Sequence, residues 1–233
     1  MTGLMRQRLP SVAGVLYSSA GFVLLMGVIT AETKYPTWRH YTTRQEISDL
    51  GGTAPPHSIV TQPSATIFDT TMIIAGVLLL AGAFALWRLY QHRVLTVAST
   101  LFGAGTLGVG IFPGNTGLHG IFAMTAFVFS ALTAIAVFKV TSAPFRFISL
   151  SVGLVSLIAL LVGLLGADSP VANSIGLGGV ERWVVFPILL WLTFFGGHIL
   201  ASTQHIQPDR PGPAAMDGPT GARVDPPAVA PSP

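Results

Sequence analysis

The chain has 233 residues, 51% of them hydrophobic and only 9% charged, with a mean hydropathy of +0.66, whereas a soluble domain carries roughly 25% charged residues. Its formal charge of +3 comes from twelve Lys and Arg residues scattered between apolar runs, so they read as topology signals and not as a nucleic-acid surface. Cysteine is absent, which excludes disulfide frameworks, thiolate catalysis and Cys-ligated metal centres.

Crossing about 30 Å of hydrocarbon takes roughly 20 helical residues. Six apolar runs approach that length: Val12 to Ile29, Ile67 to Leu89, Val94 to Phe112, Leu118 to Phe138, Phe147 to Leu165 and Val184 to Leu200. The expectation is an all-α polytopic membrane protein, a bundle of six transmembrane helices within residues 1–207. Arg6 and Arg8 precede the first run and Thr30-Ala31 is a passable cleavage site, but the run is long for a signal peptide and reads as an uncleaved anchor. A long loop over residues 32–66 follows it. The tight turn Pro113-Gly114-Asn115-Thr116-Gly117 makes the third and fourth helices antiparallel neighbours, and residues 166–180 form a Gly-rich connection. Pro187 sits early in the sixth helix, between Trp183 and the more deeply placed Trp191. From Pro208 onward the chain holds eight of its seventeen prolines; residues 208–233 read as a disordered Pro-rich tail, too poor in apolar side chains to offset ordering entropy.

Orientation comes from the linkers. Arg6, Arg8, Arg88, Arg93, Lys139, Arg146, Arg210 and Arg223 share the side of the N-terminus, against Lys34, Arg39, Arg44 and Arg182 on the other. The positive-inside rule then predicts cytoplasmic termini at the cell membrane. Every acid ahead of the tail (Glu32, Glu46, Asp49, Asp69, Asp168, Glu181) falls on the opposite, outer side.

Few residues offer chemistry. There is no GxSxG elbow, HExxH pair, Walker loop or EF-hand spacing. Gly103-Ala104-Gly105-Thr106-Leu107-Gly108 fits GxGxxG, but it lies in an apolar run with no preceding strand and reads as helix packing. Ala126, Ser130 and Ala134 line a small-residue face, as do Ala104 with Gly108, Thr106 with Gly110, and Ser149 with Gly153. No Asp, Glu, Lys or Arg lies near the middle of a run, which argues against an ion-driven pump.

What remains is a polar ring at the outer rim: Asp69 at the start of the second helix, His119 one residue into the fourth, Glu181-Arg182 opening the sixth, and Asp49 in the loop above. These five form the candidate ligand-binding site. Each also has a structural reading. Glu181 and Asp69 suit helix N-termini, Arg182 can reach lipid phosphates or pair with Glu181, and His119 can serve as a hydrogen-bonded interface residue. Glu32, Glu46 and Asp168 read as solvated loop charges. A zinc site from Asp49, Asp69 and His119 lacks the spaced His pair that would make it specific, and His198 and His205 form no haem pair. No metal or other cofactor is expected.

The run Ile47-Ser48-Asp49-Leu50-Gly51, then Pro55-Pro56 and Ile67-Phe68-Asp69, resembles the first outer loop of a bacterial and archaeal membrane family, domain-of-unknown-function family 998. Phe112-Pro113, His119-Gly120, Pro144-Phe145-Arg146 with Ser149, and Glu181-Arg182 with Pro187 and Trp191 extend the resemblance over about residues 10–202. Ile47 to Gly51, Pro55-Pro56 and Phe68 are also similar to the eukaryotic FRAG, DRAM and Sfk six-helix group, which by analogy implies a lipid-linked or scaffolding role. The leading expectation is a non-enzymatic protein whose outward rim pocket engages a lipid headgroup, Arg182 holding a phosphate, His119 and Asp69 orienting it, and the loop with Asp49 forming a lid. The alternatives are a membrane-embedded lipid hydrolase or transferase using Asp49, Asp69 or Glu181 with His119, and a small-solute transporter lined by Thr106, Thr125, Ser130 and Thr193. The expected partners are membrane lipids, with a membrane-protein partner or a second copy of the chain, and no nucleic acid.

Overall fold

The computed structural model describes residues 3–36, 45–166 and 169–204. Asp168, His205 and the Pro-rich tail lie outside the described residues. Within them the chain is helical: α1 (Gly3–Lys34), a 3-10 turn (Ile47–Leu50), α2 (Ser64–Tyr90), α3 (Arg93–Ile111), α4 (His119–Val137), α5 (Phe145–Leu164), the short α6 (Pro170–Ile175) and α7 (Leu177–Gln204). Six of these, all but α6, are long and apolar enough to cross a membrane. Helices suit that role because each backbone N–H and C=O is satisfied within its own segment, where no water is at hand.

Three of the helices run well past their apolar runs. α1 continues through Glu32 to Lys34, α2 starts at Ser64 and α7 starts at Leu177. Polar residues in a terminal turn end the hydropathy signal without ending the i to i−4 hydrogen bonding. The connection over residues 166–180 therefore holds α6, whose N-cap Ser169 accepts from the Ala172 N–H at 3.2 Å, and the first turn of α7. Glu181 and Arg182 stand inside α7, not ahead of it.

Neighbours in sequence are neighbours in space. α1 packs on α2, α2 on α3, α3 on α4, α4 on α5 and α5 on α7, and α7 returns to α1, closing a ring of six. Small residues set these contacts. A Cβ on Gly76 would come within 2.5 Å of the Leu107 backbone, one on Gly105 within 2.5 Å of Ala126, and one on Gly153 within 2.7 Å of the Ala131 carbonyl. With no hydrophobic drive between helices in lipid, such close backbone approach supplies the attraction. The GxGxxG glycines thus serve α2 and α4: Gly103 meets Leu79 and Leu80, while Gly105 and Gly108 meet Ala126 and Phe122.

Side-chain hydrogen bonds tie the ring further. Tyr17 on α1 bonds Ser99 on α3, the Trp191 indole N–H on α7 donates to Ser149 Oγ on α5 at 2.9 Å, and the Ser156 hydroxyl donates to the Val184 carbonyl at 2.7 Å. Large apolar side chains such as Phe22, Phe84, Ile121 and Phe194 point outward, as a lipid-facing surface requires. Six crossings leave the 3-10 turn, the 112–118 turn and α6 at one end, the loop side, and Gly3 and Gln204 at the other, the termini side.

Candidate functional site

The 3-10 turn is the piece of the long loop that enters the bundle. Its two apolar side chains, Ile47 and Leu50, are buried and plug the loop-side mouth of the ring. Asp49 closes the turn: its carboxylate accepts from the Glu46 N–H at 3.2 Å, and its own N–H donates to the Glu46 carbonyl at 3.2 Å. Partial burial raises the Asp49 carboxyl above its ordinary value, against the opposing pull of the Glu46 N–H and of His119 nearby. Glu46 is shifted the same way by desolvation and by Asp49.

Glycine lets the turn settle. A Cβ on Gly51 would lie 2.7 Å from Asp69 Oδ1 and 2.9 Å from the Phe68 ring, and one on Gly114 would lie 1.7 Å from the Gly52 carbonyl. Gly52 itself has φ +146, a conformation that L side chains rarely adopt. The loop carrying Ile47 to Gly52 therefore lies directly on the start of α2 and on the tight turn between α3 and α4.

Glu181 anchors this lid from α7, its carboxylate accepting the Ile47 N–H. Beneath the lid lies a cavity of about 70 Å³. Ile47, Ser48, His119 and Glu181 form its roof, while Met72, Phe102 and Ile188 are among the apolar side chains along its walls. It reaches Thr106 and Ser130 near the middle of the bundle. Those two hydroxyls are already bonded to the Phe102 and Phe127 carbonyls of their own helices, each at 2.9 Å, so they offer the cavity little polarity. Thr125 and Thr193 bond back to Ile121 and Leu189 in the same way and do not line it.

His119 is the informative residue. It is 9% exposed, and Nδ1 lies 2.9 Å from the Phe112 carbonyl. A carbonyl only accepts, so Nδ1 carries a proton, and in the neutral form of the ring Nε2 is then an acceptor. Nε2 is buried and meets no hydrogen-bond partner among the described residues. Buried polar atoms are nearly always paired, so this orphan at the wall of a cavity marks a place for a donor.

Three of the five rim residues thus gather at the lid. Asp49 and Glu181 hold the loop and His119 stands beside them at the roof. Asp69 sits next to Gly51, its Oδ1 buried and unpaired among the described residues, but it does not line the cavity. Arg182 faces elsewhere. Its guanidinium donates to the Gln45 carbonyl at 3.1 Å and the Gly178 carbonyl at 2.8 Å, and pairs with Glu32 at 3.3 Å. Glu32 is therefore a structural partner and not a solvated loop charge, and Glu46 belongs to the lid. Arg182 also heads a separate groove of about 670 Å³ between α5 and α7, floored by Pro187 and Trp191; a phosphate at Arg182 would sit there, outside the roof. Among the described residues no three His, Asp or Glu side chains are placed to hold a metal ion.

Sequence reasoning missed the cavity and the roles of Ile47 and Glu32. The apolar Ile47 and Leu50 on either side of Ser48-Asp49 were the available signal for a buried turn.

No curated protein and no solved structure matches the chain. The likeness to the eukaryotic six-helix group finds no support. Residues 18–198 match a family described as Protein of unknown function (DUF998), a stretch that takes in the lid, the whole of α2 to α6 and the greater part of α1 and α7. The chain belongs to that membrane-protein family.

Proposed function

We propose that this membrane protein binds an amphiphile from its bilayer without transforming it, the apolar body occupying the cavity and the head donating a hydrogen bond at the roof. The observation that carries the reading is His119, which lines an apolar cavity under a closed lid and whose buried Nε2 has no partner among the described residues. The Glu181 side chain lines the same cavity and Asp49 lies close by. That chemistry suits a hydroxyl or amine head in place of the phosphate that Arg182 would prefer, and it keeps the loop as the lid.

The test is direct binding. The purified chain in nanodiscs is titrated with a fluorescent long-chain alcohol and with the matching phosphate monoester. The alcohol should bind more tightly. His119→Ala should weaken it roughly tenfold, the equivalent of one good hydrogen bond. Gly117→Ala, where an added Cβ meets nothing within 4 Å, should bind as the parent does. Equal binding by His119→Ala, or preference for the phosphate, would overturn the reading.

A further inference from the structure

Taken alone, a 70 Å³ cavity falls well short of the roughly 300–1,000 Å³ of ligand pockets. A second hollow lies beside it. A cleft of about 190 Å³ opens between α4, α5 and the start of α7, with Met124 and Phe127 on one wall and Leu160 and Leu164 on the other. Phe127 and Glu181 line both the cleft and the cavity. The Phe127 ring is thus the partition between them, and it is only half-buried.

The packing of α5 explains the cleft. Through its first half α5 is tight against its neighbours: Gly153 closes on Ala131 and Ile135 of α4, and Ser149 is bonded to α7, with Ser156 making a further bond to α7 at the edge of the cleft. The outer face of α5 is exposed along its whole length, from Phe147 and Ile148 to Leu161, Leu164 and Leu165, and its packing loosens at Gly163. A Cβ on Gly163 would find only Val180, at 3.5 Å. The cleft lies here, between α4 and α5, and its lining residues Met124 and Leu164 are exposed on the outer surface of the ring.

Resting on the binding reading above, we infer that Phe127 is a lateral gate through which a single-chain amphiphile passes from the membrane into the cavity, between α4 and α5. Rotation of the ring would merge cavity and cleft into a volume several times that of the cavity alone, just short of the lower range of ligand pockets. Glu181 serves this route because it lines both compartments, so a donor head can stay hydrogen-bonded as the chain slides past the ring. The loop lid need not open, and its contacts with α2 and the 112–118 turn stay intact. The occupant is an alkyl chain with one hydroxyl or amine head; a two-chain phospholipid is too wide for a gap one aromatic ring can close.

The absence of cysteine makes the gate directly testable. Met124→Cys and Leu164→Cys place two thiols across the cleft, to be bridged by a short bifunctional methanethiosulfonate and released by reductant. The full chain is reconstituted in phosphatidylcholine vesicles containing a long-chain alcohol that bears an alkyl diazirine, then irradiated, and the adducts are mapped by mass spectrometry. Adducts on the cavity residues Phe102, Ala123 and Ile188 should be lost on bridging and return on reduction. Phe127→Ala should raise cavity labelling and Phe127→Trp lower it, which tests the gate even if the double-cysteine chain does not fold. Cavity labelling that is unchanged by bridging, or equal in the two Phe127 variants, overturns the gate and leaves the binding reading standing. Absence of cavity adducts in every chain, Phe127→Ala included, overturns both.

Discussion

Toward the termini side, buried polar groups are matched across helices: Tyr17 with Ser99 and Trp191 with Ser149. Phe145 there stacks on His198 with ring centroids 4.3 Å apart, and the Arg146 guanidinium lies 4.0 Å over the Phe138 ring, which covers its Nε, a buried atom with no hydrogen-bond partner among the described residues. At the loop end, by contrast, Asp69 Oδ1 and His119 Nε2 are buried without partners among the described residues, two carboxylates crowd one turn, and the helices part around a cavity and a cleft. The same six helices make both regions. One is arranged to hold the bundle together, and the other keeps unsatisfied polarity that stability alone would not select, which is where a binding site is expected.

Glycine substitutions should separate the two regions most sharply. Gly76→Ala forces a Cβ into the Leu107 backbone at 2.5 Å, deep in the α2–α3 contact, and should cost about 1–3 kcal/mol, read as a lower thermal unfolding midpoint in detergent. Gly114→Ala places a Cβ 1.7 Å from the Gly52 carbonyl, a worse clash on a loop free to lift. It should strip amide-exchange protection from residues 47–52 while the midpoint barely moves. A large fall in the Gly114→Ala midpoint would mean that the lid and the bundle fold as one unit, and the division of labour would be wrong.

A smaller effect is expected from Ser149→Ala, which removes the acceptor of the Trp191 indole. Interhelical hydrogen bonds in membranes average about 0.6 kcal/mol and reach about 1.7, so the midpoint should fall modestly and the affinity for the amphiphile should not change. A change in affinity without loss of stability would place this pair in the wrong region.

The slightest effect concerns pH. Asp49 and Glu46 have carboxyl values raised by their surroundings in the docked lid, so docking takes up protons. The stability they contribute is fully present below the ordinary carboxylate range and is lost as pH rises through the docked values. A spin label at Thr53→Cys should therefore become more mobile with rising pH above that range, and Asp49→Asn should flatten the response. Mobility that increases on acidification instead would reverse the assigned cause.

Much of the fold could be read from composition. All six runs are spanning helices because a membrane leaves the backbone no other partner than itself, and the Pro113 to Gly117 turn does make α3 and α4 neighbours. The ends are hidden from hydropathy where polar residues continue a helix, as at Glu32 in α1 and at Glu181 and Arg182 in α7. The rim was legible only as a set. Asp49, His119 and Glu181 meet at the lid because the 3-10 turn inserts Ile47 between α1 and α7, whereas Arg182 occupies the next position of the same helix turned away from the cavity.

The residues taken in order thus determined the six helices, the clustering of acids toward one end, the tight α3–α4 turn and the family. Those follow from local chemistry: the length of apolar runs, glycine and proline at turns, and the recurrence of motifs along one strand of text. Only the tertiary structure decided that the six helices close a ring around a cavity, that the Glu181 carboxylate grips the Ile47 N–H, that Arg182 pairs with Glu32, and that Phe127 divides cavity from cleft. Each of these depends on the rotation of a helix about its own axis, which is set by which small residues meet across every interface at once, and no single run of sequence contains that information.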